Sequence, residues 1–383
     1  MCIKISIAIL FCTFMFFGFG CNHKASDIAC SEEEFMFSGS GNATLHGTLS
    51  VPSNYNANKK VVILVSPPSP SDRNYFGFFK WIADSLCRSG IAVLRFDNRS
   101  LIYENTVHQH DLNMFDQASD VHSAIEAIQN DRRFATAKIG LLGHSEGGCS
   151  VAIEASRNKK VSFIVLLSTV GIQGKDLMYA QMTNLIKSFA DIKSHADIKS
   201  PVDSPTDQLM LSESKKSIAI VSSDISVDSM SFLLRKQIAE KFVTHPESMG
   251  TDPIEKHFYR DSLYWLSRQR IAYIQYNPTL YYSKITCPVL AICGDADEKV
   301  DYESNLDGIK NIFNSVNKKN YTIKVIKNVG HGYELRNKND PKNTLRSLRA
   351  TYKRDSSGRN KKPSGYKASK EMFDIVSAWI MKN

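Results

Sequence analysis

In "IGLLGHSEGGCS" (139–150), an apolar run leads into Gly143-His144-Ser145-Glu146-Gly147 and then into the start of a helical pattern. A serine held on a strand-to-helix turn this tight needs glycine two residues to either side, and the turn leaves its hydroxyl clear of the chain. The helix beneath it favours negative charge developing at its N-terminus. A serine hydroxyl is a weak nucleophile and needs a base. The base in turn needs a carboxylate to orient its ring and stabilise its cation. Two later segments supply candidates in the chain order Ser, acid, His. "PVLAICGDADEKV" ends an apolar run at Gly294 and offers Asp295 and Asp297, and "VIKNVGHGYE" ends another and offers His331 between two glycines.

The other histidines compete poorly. His108 and His110 in "TVHQHD" could form a metal pair with Asp111, but no further ligand cluster accompanies them, and they read as a solvated loop. His144, His122 and His257 read as surface or packing residues. The serine chemistry requires neither a metal nor an organic cofactor.

The elements that must position these groups follow from hydrophobic patterning. "ATLHGTLSVP" (43–52) alternates as a half-buried strand does, and "EFMFSGSGN" before it supplies a hairpin partner. "KVVILVS" (60–66), "GIAVLRF" (90–96), "AKIGLLG" (137–143), "VSFIVLLS" (161–168), "PVLAICG" (288–294) and "YTIKVIK" (321–327) are short apolar runs between turn residues, suited to a sheet covered on both faces. Helical patterns lie among them: "FFKWIADSLCRSG", "MFDQASDVHSAIEAIQND" and a final "SKEMFDIVSAWIMK". Alternation of strand and helix predicts an α/β fold with a mostly parallel sheet. A long interruption after the sixth run carries the helical pieces "MYAQMTNLIKSFADIK" and "MSFLLRKQIAEKF". It predicts an inserted helical cap over the C-terminal edge of the sheet, where such folds place their sites. The expected division is an α/β core over residues 34–170 and 284–383, interrupted by the cap at 171–283.

Through "LHGTLSVP", "GIAVLRFDNR", "IGLLGHSEGG", "IQYNPTLYYSKITCPVLAICGDADEKV" and "NVGHGYE", the chain from about Glu34 onward resembles the α/β-hydrolase superfamily. Within it the resemblance is to a bacterial esterase branch related to dienelactone hydrolases and prolyl-oligopeptidase-type enzymes. The resemblance implies Ser145 as nucleophile, Asp297 as acid, because the last Asp of G-x-x-D before a Val is the acid there, and His331 as base. It also implies the Glu146 amide as one oxyanion donor, since the residue after the nucleophile supplies it. Two loops depart from the branch. Ser66-Pro67-Pro68-Ser69-Pro70 replaces Ser-Gly-Ser-Gly-Pro, and Asp97 and Arg99 are followed by Ser100-Leu101-Ile102 where the branch has Gly-x-Gly. Proline has no N–H, so the second oxyanion donor is expected from Ser69, through its amide or its hydroxyl.

The N-terminal "MCIKISIAILFCTFMFFGFGCNHK" has one Lys, sixteen uncharged residues from Ile5 to Gly20, and then Cys21. It reads as a signal peptide over residues 1–20, and resembles a bacterial lipoprotein signal that would acylate Cys21 and leave residues 21–33 as a tether. Gly18 and Phe19 depart from the usual pattern before such a Cys; an ordinary cleaved signal and an uncleaved anchor are the competing readings. On the lipoprotein reading the chain is exported and lipid-anchored to a bacterial membrane, on the periplasmic or cell-surface side. Of the remaining cysteines, Cys87, Cys149, Cys287 and Cys293 sit among apolar residues and read as buried free thiols, with Cys30 in the tether.

Formal net charge is +9, from 48 basic and 39 acidic residues. Ten Lys or Arg against Asp355 alone between Lys342 and Lys370 carry the whole excess, so a general nucleic-acid-binding surface is not implied. That basic loop (342–370) reads as solvated chain, with attraction of acidic substrates or anionic lipid as the competing reading. The expected partners are a small-molecule ester and, through the lipid, a membrane; the sequence sets no oligomeric state. The leading expectation is a serine hydrolase of carboxylic esters. A peptidase or thioesterase on the same triad, and a catalytically inactive binding lipoprotein, are the alternatives.

Overall fold

A computed structural model describes residues 28–57, 59–103, 108, 111–194, 204–336 and 368–383. The apolar runs form one eight-stranded sheet in the order β1-β2-β4-β3-β5-β6-β7-β8. The strands are β1 Cys30–Ser38, β2 Thr44–Pro52, β3 Lys60–Val65, β4 Ala92–Phe96, β5 Lys138–His144, β6 Val161–Leu167, β7 Val289–Gly294 and β8 Tyr321–Ile326. β2 runs antiparallel to both β1 and β4, and every pairing from β4 to β8 is parallel. β3, β4 and β7 are buried at every residue, as largely apolar runs require when both faces are covered, with Lys60 and Arg95 the buried charged residues among them.

Strand periodicity sends alternate side chains to opposite faces. Val61, Ile63 and Val65 pack under α2 (Met114–Asn130), α3 (Gly147–Arg157) and α10 (Tyr302–Ser315), whereas Val62 and Leu64 pack under α1 (Phe78–Arg88) and the last helix, α11 (Lys370–Lys382). Asn113 starts α2 with a reciprocal cap: its side chain accepts from the Asp116 amide, and the Asp116 carboxylate accepts from the Asn113 amide.

Among the described residues, six α-helices stand between β6 and β7: α4 Gly174–Ser194, α5 Pro205–Ser222, α6 Val227–Thr244, α7 Ile254–Trp265, α8 Arg268–Ile274 and α9 Thr279–Tyr282. Leu177, Val221, Leu234, Trp265 and Ile274 from this segment share one apolar cluster with Met114 of α2 and Cys149 of α3. The insertion therefore packs on the helices that border the C-terminal edge of the sheet.

Two expectations are corrected. Residues 30–33 are not tether: β1 begins at Cys30 and pairs with β2 from its first residue, Cys30 opposite Pro52. Cys87 is not a free thiol either: its partner is Cys30. They form a disulfide that ties the start of β1 to α1, with Cα atoms 6.2 Å apart. Cys149, Cys287 and Cys293 are free. The signal peptide, Cys21 and residues 342–367 of the basic loop lie outside the described residues. The ends that flank 337–367 are joined, since Glu334 bridges Ala368 and the Ser369 amide donates to the Tyr333 carbonyl.

Candidate active site

β5 delivers Ser145 to the C-terminal edge of the sheet at φ 55°, a left-handed conformation that a non-glycine residue holds only when its surroundings enforce it. The Ser145 amide donates to the Leu167 carbonyl of β6, and the Thr169 hydroxyl donates to the Ser145 carbonyl, so both sides of the strained residue are tied down. Both glycines are sterically required. A Cβ on Gly143 would stand 2.6 Å from the Gly148 Cα, and one on Gly147 would stand 2.3 Å from the Val65 carbonyl oxygen.

Asp297 follows β7 and His331 follows β8, and the sheet brings both to Ser145. His331 Nε2 lies 3.1 Å from Ser145 Oγ, and His331 Nδ1 lies 2.9 Å from each carboxylate oxygen of Asp297. The Asp297 side chain is fully buried. Its Oδ1 also accepts from the amides of Lys299 and Val300, and the Cys293 thiol donates to Oδ2 at 3.5 Å. Burial alone would push this carboxyl up. The adjacent His331 ring and the two amides outweigh burial and hold it below the usual carboxylate value. Asp295 is not in this chain of contacts: its Oδ1 accepts from the Asn328 amide, which makes it a brace of the loop that carries His331.

Glu146 is the N-cap residue of α3, and the first intrahelical bonds use its carbonyl. A helix's opening amides have no partner inside the helix. The Glu146 side chain was given no role by the sequence. Gln269 of α8 donates to Oε2 at 3.5 Å, while Oε1 is sealed from solvent without a hydrogen-bond partner. Burial pushes this carboxyl up to about 7, against smaller opposing effects from Arg270 and Gln269.

The proline loop departs from expectation. The Ser69 amide donates to the Pro67 carbonyl at 2.7 Å, closing a three-residue turn, so that amide is committed within the loop. Of the two donors expected of Ser69, the amide is thus taken and the hydroxyl remains. The loop still borders the nucleophile, because the carbonyls of Val65 and Ser66 lie against Gly147.

His108 pairs with Asp111 on the surface, and His110 lies outside the described residues. His122 meets the buried Glu154 carboxylate, and His257 meets the Met249 carbonyl. His144 is not a surface residue: it is buried and its Nε2 contacts the His331 carbonyl at 2.8 Å.

The family model described as serine aminopeptidase, S33, matches residues 73–242. That span holds the Ser145 turn and the first cap helices, and ends before Asp297 and His331. The fold is that of an α/β hydrolase. Solved α/β structures similar to this one include an esterase of Pyrococcus furiosus, at 14% identity over 92% of this chain and 91% of that one with a TM-score of 0.48. A dienelactone hydrolase from Anabaena variabilis is 13% identical over 92% and 98% with a TM-score of 0.46. Est1E from Butyrivibrio proteoclasticus is 14% identical over 91% and 96% with a TM-score of 0.45. No curated protein matches this chain's sequence.

Proposed function

We propose that the chain is a serine hydrolase that cleaves carboxylic esters, with Ser145 as nucleophile, His331 as general base and then acid, and Asp297 as the group that orients and stabilises His331. One observation carries this reading: an unbroken line of contacts from Ser145 Oγ through both ring nitrogens of His331 to a buried carboxylate, with the serine on a strained turn. Ser145 Oγ bonds to the acyl carbon as His331 Nε2 takes its proton; the proton then passes to the departing alkoxide. A water repeats the sequence on the acyl-enzyme, losing a proton to His331 and returning Ser145 to its hydroxyl form. The Glu146 amide serves the oxyanion, with the Ser69 hydroxyl as the second donor.

A fluorophosphonate probe should label Ser145, and Ser145→Ala should abolish both labelling and hydrolysis of a panel of aryl esters graded in acyl length. Ester hydrolysis that persists in Ser145→Ala would remove the assigned nucleophile. The description of the matching family model favours a second reading, a peptidase on the same triad. Faster turnover of aminoacyl anilides than of aryl esters would select it.

We also infer export and lipid attachment at Cys21. The Cys30–Cys87 disulfide supports export, since such bonds persist in oxidising compartments. Among the described residues no helix is long and apolar enough to cross a membrane. Incorporation of a radiolabelled fatty acid that is lost in Cys21→Ala would support the attachment; a mature N-terminus elsewhere would exclude it.

A further inference from the structure

His144 has no place in the reaction just described, yet it occupies the residue before the nucleophile and is almost wholly buried. A carbonyl oxygen can only accept. The 2.8 Å contact from Nε2 to the His331 carbonyl therefore fixes the tautomer: Nε2 carries the proton and Nδ1 is bare. Nδ1 is buried and finds no hydrogen-bond partner. The ring is enclosed by other rings, with centroids at 5.4 Å for Phe78, 5.6 Å for Tyr75 and 4.9 Å for His331. Tyr333 stacks on Phe78 at 5.8 Å and donates its hydroxyl to the Ile292 carbonyl, which ties the same cluster to β7. Burial holds the imidazole neutral, with its pKa lowered to about 3, so the Nε2 donor persists throughout the working pH range.

His331 needs such an anchor. It lies between Gly330 and Gly332 in a loop after the edge strand β8, and glycine neighbours leave the backbone many alternatives. Asp297 fixes one end of the ring, but a ring pivoting about that contact can still swing its Nε2 away from Ser145. Holding the His331 carbonyl removes this freedom. The group that holds it is one peptide unit from the nucleophile, so Ser145, His144 and His331 form a closed circuit of one covalent link and two hydrogen bonds.

We propose that His144 is a positioning residue, whose Nε2–H on the His331 carbonyl sets the distance between base and nucleophile. The proposal rests on the triad reading above, and the experiment separates the two. In the purified full chain, kcat and KM for p-nitrophenyl acetate are measured for His144→Phe, which keeps a ring and loses the donor, and for His144→Gln, whose side-chain amide can place an N–H where Nε2 stood. Ser145→Ala is the control. Misplacement of a catalytic group by about an ångström costs on the order of a hundredfold, so His144→Phe should lower kcat by roughly ten- to a hundredfold with KM within about threefold of the parent. His144→Gln should recover most of that loss. If the Phe variant does not fold, His144→Met, flexible and without a donor, takes its place in the comparison.

Full kcat in a donor-free variant, or a folded Gln variant as slow as the donor-free one, overturns the proposal while Ser145→Ala remains inactive. Activity surviving in Ser145→Ala overturns the triad reading and the proposal together. A lower Tm with unchanged kcat marks a packing role alone and also overturns it.

Discussion

Replacing Asp297 with Asn tests the site most sharply, because the surroundings dictate how the new amide must sit. Oδ1 of Asp297 accepts from two backbone amides, those of Lys299 and Val300. An Asn must keep its carbonyl oxygen there, since turning its NH2 toward two N–H groups would set donor against donor. Its NH2 then takes the place of Oδ2, facing His331 Nδ1. Nδ1 lies 2.9 Å from both positions, but the Oδ1 position is already taken by the two amides, so the NH2 donor favours Nδ1 as acceptor and puts the ring proton on Nε2, the nitrogen 3.1 Å from Ser145 Oγ. The ring then has no lone pair for the serine proton. In the serine-protease template this wrong-tautomer substitution lowers kcat by about ten-thousandfold, and a similar loss is expected here at neutral pH. The assay is the steady-state hydrolysis of a simple aryl ester, with the folded fraction taken from thermal melting. Asp295→Asn is the control: that carboxylate braces the loop through the Asn328 amide and the Lys327 ammonium, so its loss should cost less than about tenfold. A folded Asp297→Asn within tenfold of the parent would refute the argument, as would an Asp295→Asn variant equally disabled.

Three further outcomes are expected. The double substitution Cys30→Ser, Cys87→Ser should lower unfolding free energy by about 4 kcal/mol, the loop-closure value for cysteines 57 residues apart, and denaturation that is insensitive to reductant would contradict it. Glu146→Gln should stabilise the protein at pH 8 and not at pH 4: the folded carboxyl holds its proton up to about 7 against an ordinary 4.5, so stability falls as pH rises between those values, on the order of 3 kcal/mol in all. A Tm difference that does not grow with pH rules this out. Ser69→Ala should reduce kcat by roughly a hundredfold or more if the hydroxyl holds the oxyanion, and a variant within threefold of the parent would remove Ser69 from the site.

Parts of the fold that depend on local chemistry could be read from the sequence. The turn at Ser145 needed glycines at fixed offsets, and the inner strands announced themselves as unbroken apolar runs. The acid and the base stood at strand ends, where a parallel sheet brings separate segments to one edge. What escaped depends on distant partners. α10 carries Gly308 in its middle, which weakens the helical signal; that glycine is needed because a Cβ there would come within 2.2 Å of the Gly171 carbonyl. The disulfide joins cysteines whose nearness is set by packing of β1 near α1, and no spacing rule links them. His144 reads as an ordinary filler of the turn until the His331 carbonyl is placed against it. Of the two donors Ser69 offered, the amide is claimed by the Pro67 carbonyl folding back onto it, a local turn that the residue types do not reveal.

The two loops that depart from the esterase pattern explain each other. Pro67 and Pro68 cannot pin their loop through their own amides, so something else must hold it beside the nucleophile. Asn98, in the other altered loop, does so: its side-chain amide donates to the Pro67 carbonyl at 2.9 Å, and its backbone amide donates to the Ser71 carbonyl. Asn98 is oriented in turn by Ser100, whose amide and hydroxyl both donate to Asn98 Oδ1. A glycine at position 100 would have lost the hydroxyl contact. The retained residues complete the clamp, because Arg73 meets Asp97 through its backbone amide, Nε and Nη2. The prolines beside the active site and the serine two residues beyond Asn98 are therefore parts of one arrangement. It replaces backbone donors lost in the first loop with side-chain donors from the second, and a loop so held keeps its shape next to Ser145 without the glycines that the family pattern uses.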